Sequence, residues 1–221
     1  MEEARCVLKP GGSLFVAYLL HPSEVAPLCR SAGLEVIEIL EVEGLVAMSE
    51  ETSLFRTAWR AVIRKIALRL ADSGVSYAVV GGACLTLQGV PLPVKDVDLE
   101  MSAEDVYRFQ DLFQEYMVKP VGLSESAAYR SHFGRFNFDG VLVEVMGDLH
   151  RREENKWVPT ATSTRRSVDL DGIPVTVAWL EEETLANMRR GRLDRAGLCL
   201  PYCNPERLRA LLSGRQPTQV I

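Results

Sequence analysis

Several things are missing from this sequence of 221 residues, and each absence removes a class of function. No apolar run approaches the length needed to span a bilayer. The N-terminus lacks the charged, apolar and small-residue succession of a secretory signal. The formal net charge is −5, so there is no blanket attraction to nucleic acid or to an anionic membrane. The five cysteines are odd in number and scattered, at Cys6, Cys29, Cys84, Cys199 and Cys203. That pattern reads as reduced thiols in a cytoplasmic protein. Cys199 and Cys203 lie four apart, but no second pair or nearby histidine completes a zinc site. There is no internal repeat and no low-complexity tract.

The organising stretch is Tyr77 to Ser102, YAVVGGACLTLQGVPLPVKDVDLEMS. Tyr77 to Val80 reads as a buried strand broken by Gly81 and Gly82. Ala83 to Gln88 is helix-compatible, and Gly89 with Pro91 and Pro93 stops it. A strand predicted over Val94 to Met101 carries Asp96, Asp98 and Glu100 at alternate positions. Side chains two apart on a strand share a face, so Asp96 and Asp98 are expected close together. Two carboxylates so placed repel unless a cation sits between them. Mg²⁺ prefers one or two carboxylates together with substrate phosphates. The Gly81-Gly82 turn, opening a helix, can approach phosphate closely.

Gly81-Gly82, thirteen residues and then Asp96-Val97-Asp98 resembles the signature of the nucleotidyltransferase superfamily, which includes DNA polymerase beta and small bacterial nucleotidyltransferases. The resemblance covers roughly residues 52 to 195. Its third carboxylate lies on a later strand, and Glu144 in GVLVEVMG is the candidate, with Asp148 as the fallback. Val94 stands where many members have Thr or Ser, and the third acid is Glu rather than Asp. The resemblance implies a mixed α+β sheet flanked by helices. It also implies Mg²⁺ or Mn²⁺ held by Asp96, Asp98 and Glu144. An NTP donor would lie on Gly81 and Gly82 with Lys95 beside them, and an unknown hydroxyl acceptor would be modified. Nucleic acid enters only as such an acceptor. The opposing reading is a catalytically decayed nucleotide-binding or interaction module, of the kind found in toxin–antitoxin pairs, with Lys95 neutralising the acids in place of a metal.

Residues 1 to 50 read as a separate strand–helix–strand segment. It holds the acid excess: Glu2, Glu3, Glu24, Glu35, Glu38, Glu41, Glu43 and Glu50 against Arg5, Lys9 and Arg30. Leu8-Lys9-Pro10-Gly11-Gly12 precedes a strand over Ser13 to Leu20. A helix is expected over Pro22 to Ala32 and a strand over Leu34 to Val42. The segment resembles the C-terminal part of a class I S-adenosylmethionine-dependent methyltransferase, without that family's cofactor-binding loop. Its expected roles are docking on the second domain, residues 51 to 221, or pairing with a protein partner or a second copy.

A long amphipathic helix is expected over Glu50 to Ser73, with Arg56, Arg60, Arg64, Lys65 and Arg69 on its solvated face. Ser102 and Asp105 predict a helix start, the helix running to about Met117, and Lys119 to Gly122 is expected as a loop. A hairpin is expected over Tyr129 to Met146, turning at Asp139-Gly140, with His132 on its first arm. His150 to Arg166 reads as a polar loop whose Arg151, Arg152, Lys156, Arg165 and Arg166 could hold a triphosphate or an acidic acceptor. A second hairpin turns at Asp171-Gly172. Leu180 to Arg190 is a helix, with Arg192 and Asp194 expected to form an ion pair.

Overall fold

The computed structural model describes residues 7–8, 14–15, 50–160 and 165–214, with side chains from Thr57 onward. The chain divides into two units, Met1–Ser49 and Glu50–Ile221. In the first, β1 (Val7–Leu8) pairs antiparallel with β2 (Leu14–Phe15). The helix and second strand expected in that unit lie outside the described residues.

The second unit is an α+β domain. Its elements are α1 (Glu50–Leu70), β3 (Tyr77–Val80), α2 (Gly81–Leu87), β4 (Val97–Met101), α3 (Ala103–Leu112), β5 (Met117–Glu125), β6 (Tyr129–Phe138), β7 (Val141–Glu153) and β8 (Lys156–Pro159). They continue as β9 (Arg165–Leu170), β10 (Ile173–Ala178), α4 (Leu180–Arg189), α5 (Leu193–Cys199) and α6 (Pro205–Leu212). The mixed sheet runs β5-β6-β7-β4-β3-β10-β9, and β8 pairs with the far end of β7. The β4–β7 and β3–β10 pairs are parallel. Among the described residues no helix is long and apolar enough to cross a membrane.

Strand periodicity decides what each face of the sheet meets. Val97 and Leu99 of β4, Val143 and Val145 of β7, and Phe136 and Phe138 of β6 are fully buried in one core with Ile63 and Ile66 of α1 and Phe109 of α3. Phe109 packs edge-on against Phe136 at 5.1 Å between ring centres, and Tyr116 stacks on Phe138 at 4.1 Å. The intervening residues of β4 and β7, Asp98 and Glu144 among them, therefore face away from these helices. The basic side of α1 is not simply solvated. Arg60 donates to Asp171 at 2.9 Å, Lys65 donates to the Tyr116 hydroxyl at 2.8 Å, and Arg69 pairs with Glu115.

Both predicted hairpin turns form. Asp139 and Gly140 have φ of 52° and 94°, and Asp171 and Gly172 have 56° and 82°. Two consecutive left-handed residues match the right-handed twist of the flanking strands. Ser102 caps α3 by accepting from the Asp105 N–H at 3.0 Å. Three expectations change. The helix expected to reach Met117 ends at Leu112, followed by a short 3-10 turn over Gln114–Tyr116. The loop expected at Lys119 to Gly122 is part of β5, an edge strand with two register shifts. Pro120 fits there because an edge strand need not donate on its outer side. The polar stretch after His150 continues β7, turns at Glu154 and Asn155 with φ of 45° and 64°, and returns as β8.

The Phe109 ring closes the centre of the helix-side core. Phe109→Ala should cost about 3–5 kcal/mol, read as a lower urea midpoint with little change in slope.

Candidate active site

The site forms where β3 ends. Val80, the last residue of β3, lies opposite Asp98 of β4, and Asp98 lies opposite Glu144 of β7. At Gly81 the chain turns with φ of +65°, and an added Cβ would overlap Asp98 Oδ2. The position thus requires glycine on two grounds, its conformation and the adjacent carboxylate. A Cβ at Gly82 would come within 2.9 Å of Arg195 Nη2.

The expected strand from Val94 begins only at Val97, so Asp96 stands on the bend just before it. Pro91 and Pro93 carry no N–H for a ladder, and β3 has already ended opposite Asp98, leaving no partner strand on that side. The argument that one strand face aligns Asp96 with Asp98 is corrected to this extent. The two acids nevertheless remain close enough to interact. The Asp98 carboxyl is pushed up to about 7, first by burial and then by the charges of Asp96, Glu144 and Glu183, with Arg190 opposing them. Glu100 takes no part: it is buried and its Oε1 accepts from the Thr160 hydroxyl at 3.1 Å.

Glu144 faces Asp98 in register, but its Oε1 accepts from Arg135 Nε at 2.7 Å. Among the described residues, no group of three or more acidic, cysteine or histidine side chains closes on a common point at metal-binding spacing. The charge balance still fits a divalent cation. Burial, and after it the charges of Asp96, Glu144 and Glu183, raise the Asp98 carboxyl, and a cation beside these acids would offset both effects.

Beside this cluster is a cleft of about 300 Å³ lined by Gly82, Leu92, Pro93, Lys95, Asp96, Asp194, Arg195 and Leu198. Arg195 Nε is buried there without a hydrogen-bond partner. The cleft therefore offers two cations, Lys95 and Arg195, beside the Gly82 backbone.

The other sequence candidates lie elsewhere. Asp148 Oδ1 accepts from the Ala103 N–H at 3.1 Å, at the start of α3. His132 contacts the Tyr107 hydroxyl through Nδ1 at 3.0 Å. The cationic cluster disperses: Arg151 pairs with Glu153, Arg152 lies over Trp157, Arg165 donates to the Ser76 hydroxyl, and Arg166 lies over Trp179. Lys156 sits in the β7–β8 hairpin. These side chains are drawn off because the strands of the β7–β8 and β9–β10 hairpins carry them to local partners. No ion pair joins Arg192 and Asp194. Arg192 is the residue before α5, and Asp194 in its first turn lines the cleft.

Sequence reasoning missed Glu183, Arg190 and Arg195. Glu183 is buried on α4 and accepts from the Gly81 N–H; burial raises its carboxyl, while Arg190, this hydrogen bond and Arg195 hold it down. One signal was available. Glu183 sits three residues after Leu180, on the buried side of a helix, where an unpartnered carboxylate is costly.

The pH dependence of stability follows from Asp98. Its folded-state value near 7 lies above the unfolded 3.8, so between the two only the folded chain holds the proton. Without metal, that stabilisation is complete below about pH 4 and is lost as the pH rises through 7. Asp98→Asn should therefore lose about 2 kcal/mol less than the parent chain between pH 5 and 8, measured by urea unfolding in a chelator. Equal losses in both proteins would exclude the effect.

Comparisons with known proteins identify the family and the fold. A family model described as aminoglycoside-2''-adenylyltransferase matches residues 62–196. A crystal structure from Thermotoga maritima, assigned as a nucleotidyltransferase, is 34% identical, with a TM-score of 0.60 over 72% of this chain and 96% of that one. The solution structure of the antibiotic-resistance factor ANT(2'')-Ia shares the fold at 10% identity, with a TM-score of 0.51 over 72% of this chain and 91% of that one. A search of curated proteins found no match. The methyltransferase-like reading of residues 1 to 50 finds no support in these matches, and the family model begins after that segment. The chain belongs to the aminoglycoside-2''-adenylyltransferase family and is a nucleotidyltransferase.

Proposed function

We propose that the protein transfers a nucleotidyl group from an NTP to an acceptor hydroxyl in a metal-dependent reaction that releases pyrophosphate. The observation that carries this reading is the position of Asp98. It is flanked by Asp96 and Glu144 and lies against Gly81, and its carboxyl is raised to about 7 by burial and then by neighbouring acids, which a cation would offset.

Lys95 and Arg195 would bind the triphosphate in the cleft against the backbone of Gly81 and Gly82. The orphaned Arg195 Nε supports this, because phosphate oxygens supply the acceptor it lacks. Asp96, Asp98 and Glu144 would hold Mg²⁺ or Mn²⁺, which when bound supplies positive charge to the entering and leaving oxygens. Glu144 would receive the proton of the acceptor hydroxyl. Glu183 would keep Gly81 in place through the backbone N–H. The α-phosphorus–oxygen bond to the acceptor forms as the bond to pyrophosphate breaks.

Asp96→Asn should reduce metal-dependent NTP turnover below detection while leaving the far-UV circular dichroism unchanged. Wild-type turnover in that variant would contradict the assignment. A thermal-shift screen of the four NTPs with Mg²⁺ or Mn²⁺ identifies the donor, since only a bound nucleotide raises the melting temperature.

A further inference from the structure

One more cation faces the acids, from the end of α4. Glu183 meets the Gly81 N–H from the buried side of that helix. Arg190 follows it after about two turns, roughly 10 Å along the axis, so both project from the same face. The helix stops there: the Arg190 backbone N–H donates to Ala186 O at 3.1 Å, and Gly191 turns the chain with φ of 69°. The Arg190 charge acts on both Asp98 and Glu183, yet it forms no ion pair with either among the described residues. Its Nε donates instead to the Tyr129 hydroxyl at 2.9 Å, and its guanidinium lies 5.4 Å from the Tyr129 ring centre. Among the described residues neither Nη of Arg190 has a hydrogen-bond acceptor. The side chain is thus exposed, tethered at one nitrogen by a neutral group, and keeps its two Nη groups uncommitted.

Resting on the nucleotidyl-transfer reading above, we propose that Arg190 is a further catalytic residue, which binds the α-phosphoryl group of the donor while it is transferred. In that reading the phosphorus under attack lies beside Asp98, between the cleft that takes the rest of the triphosphate and Glu144, which receives the acceptor proton. Lys95 and Arg195 line the cleft and meet the part that leaves as pyrophosphate. Arg190 does not line the cleft; it comes to the acids from α4 and is tied to the start of β6. A guanidinium is planar and always charged, with donors spaced for two phosphate oxygens. It stabilises the charge that spreads over those oxygens during transfer. No proton passes through Arg190. The acceptor O–H gives its proton to Glu144, its oxygen bonds the α-phosphorus, and pyrophosphate leaves with the electron pair of the broken phosphorus–oxygen bond. A neutral tether suits this role, because a carboxylate in place of Tyr129 would neutralise the guanidinium, as Glu144 does that of Arg135 at 2.7 Å.

The test is calorimetric titration of the full chain with the four NTPs and with inorganic pyrophosphate, each in the presence of Mg²⁺. Arg190→Gln should bind the NTP that the parent chain prefers at least about tenfold more weakly, and should bind pyrophosphate as the parent does. Arg195→Gln should weaken both. Tyr129→Phe removes the tethering hydroxyl and keeps the cation, so its NTP affinity should match the parent's. Arg190 is exposed, and circular dichroism checks that each variant is folded. Undiminished NTP binding by Arg190→Gln would overturn the proposal. Equal loss in Tyr129→Phe would overturn it too, by making Arg190 a strut between α4 and β6. So would equal loss of pyrophosphate in Arg190→Gln, which places the residue on the leaving group. A parent chain that binds no NTP would sink the nucleotidyl-transfer reading itself, a result visible before any variant is made.

Discussion

The partial burial of Asp98 among other carboxylates is the constraint that the rest of the domain answers to. Asp98, Asp96, Glu144 and Glu183 share one corner, and ordinary folding would separate them. They are held together by covalent and hydrogen-bonded geometry rather than by attraction for one another. The β4–β7 register fixes Asp98 against Glu144, the end of β3 fixes Gly81 against Asp98, and α4 delivers Glu183 to the Gly81 amide. The helix-side core of phenylalanines and aliphatic residues stabilises this arrangement from the opposite face of the sheet. A corner rich in negative charge and lined by glycine suits the proposed reaction, in which cations and phosphates would supply the missing half of the electrostatics.

Positive charge across the domain is graded by its partners. Arg60, Arg69 and Arg151 are committed to carboxylates, and Arg166 lies over an aromatic ring. Their roles are those of local struts. Arg195 is different because its Nε is desolvated and unsatisfied beside the cleft. Exposure alone does not separate these arginines, since all of them come from polar stretches. The decisive difference is whether a neighbour already satisfies the guanidinium.

Much of this was legible in the chain because it is written in local rules. The glycine pair after YAVV, the Asp-Gly turns, the Ser102 cap and the apolar stripe of α1 each depend on residues within a few positions of one another. Glu144 was legible because an acid between Val143 and Val145 is costly without a partner. What stayed hidden depends on long-range placement. Asp96 lies off the strand because β3 stops opposite Asp98, a fact of pairing and not of composition. Lys119 lies on an edge strand whose register breaks twice, which no propensity near Pro120 announces. Arg195 reaches Gly82 only because α5 packs beside the β3–α2 corner, more than a hundred positions away along the chain.

That separation has a consequence for how the enzyme comes into being. β3 completes its parallel pairing only with β10, through Val79 and Val177, and Glu183 and Arg195 follow later still. Contacts so distant in sequence close late and slowly. During synthesis the glycine corner and its aspartates leave the ribosome well before the residues that brace them. The corner therefore cannot be complete on a nascent chain until the helices that carry Glu183 and Arg195 have emerged.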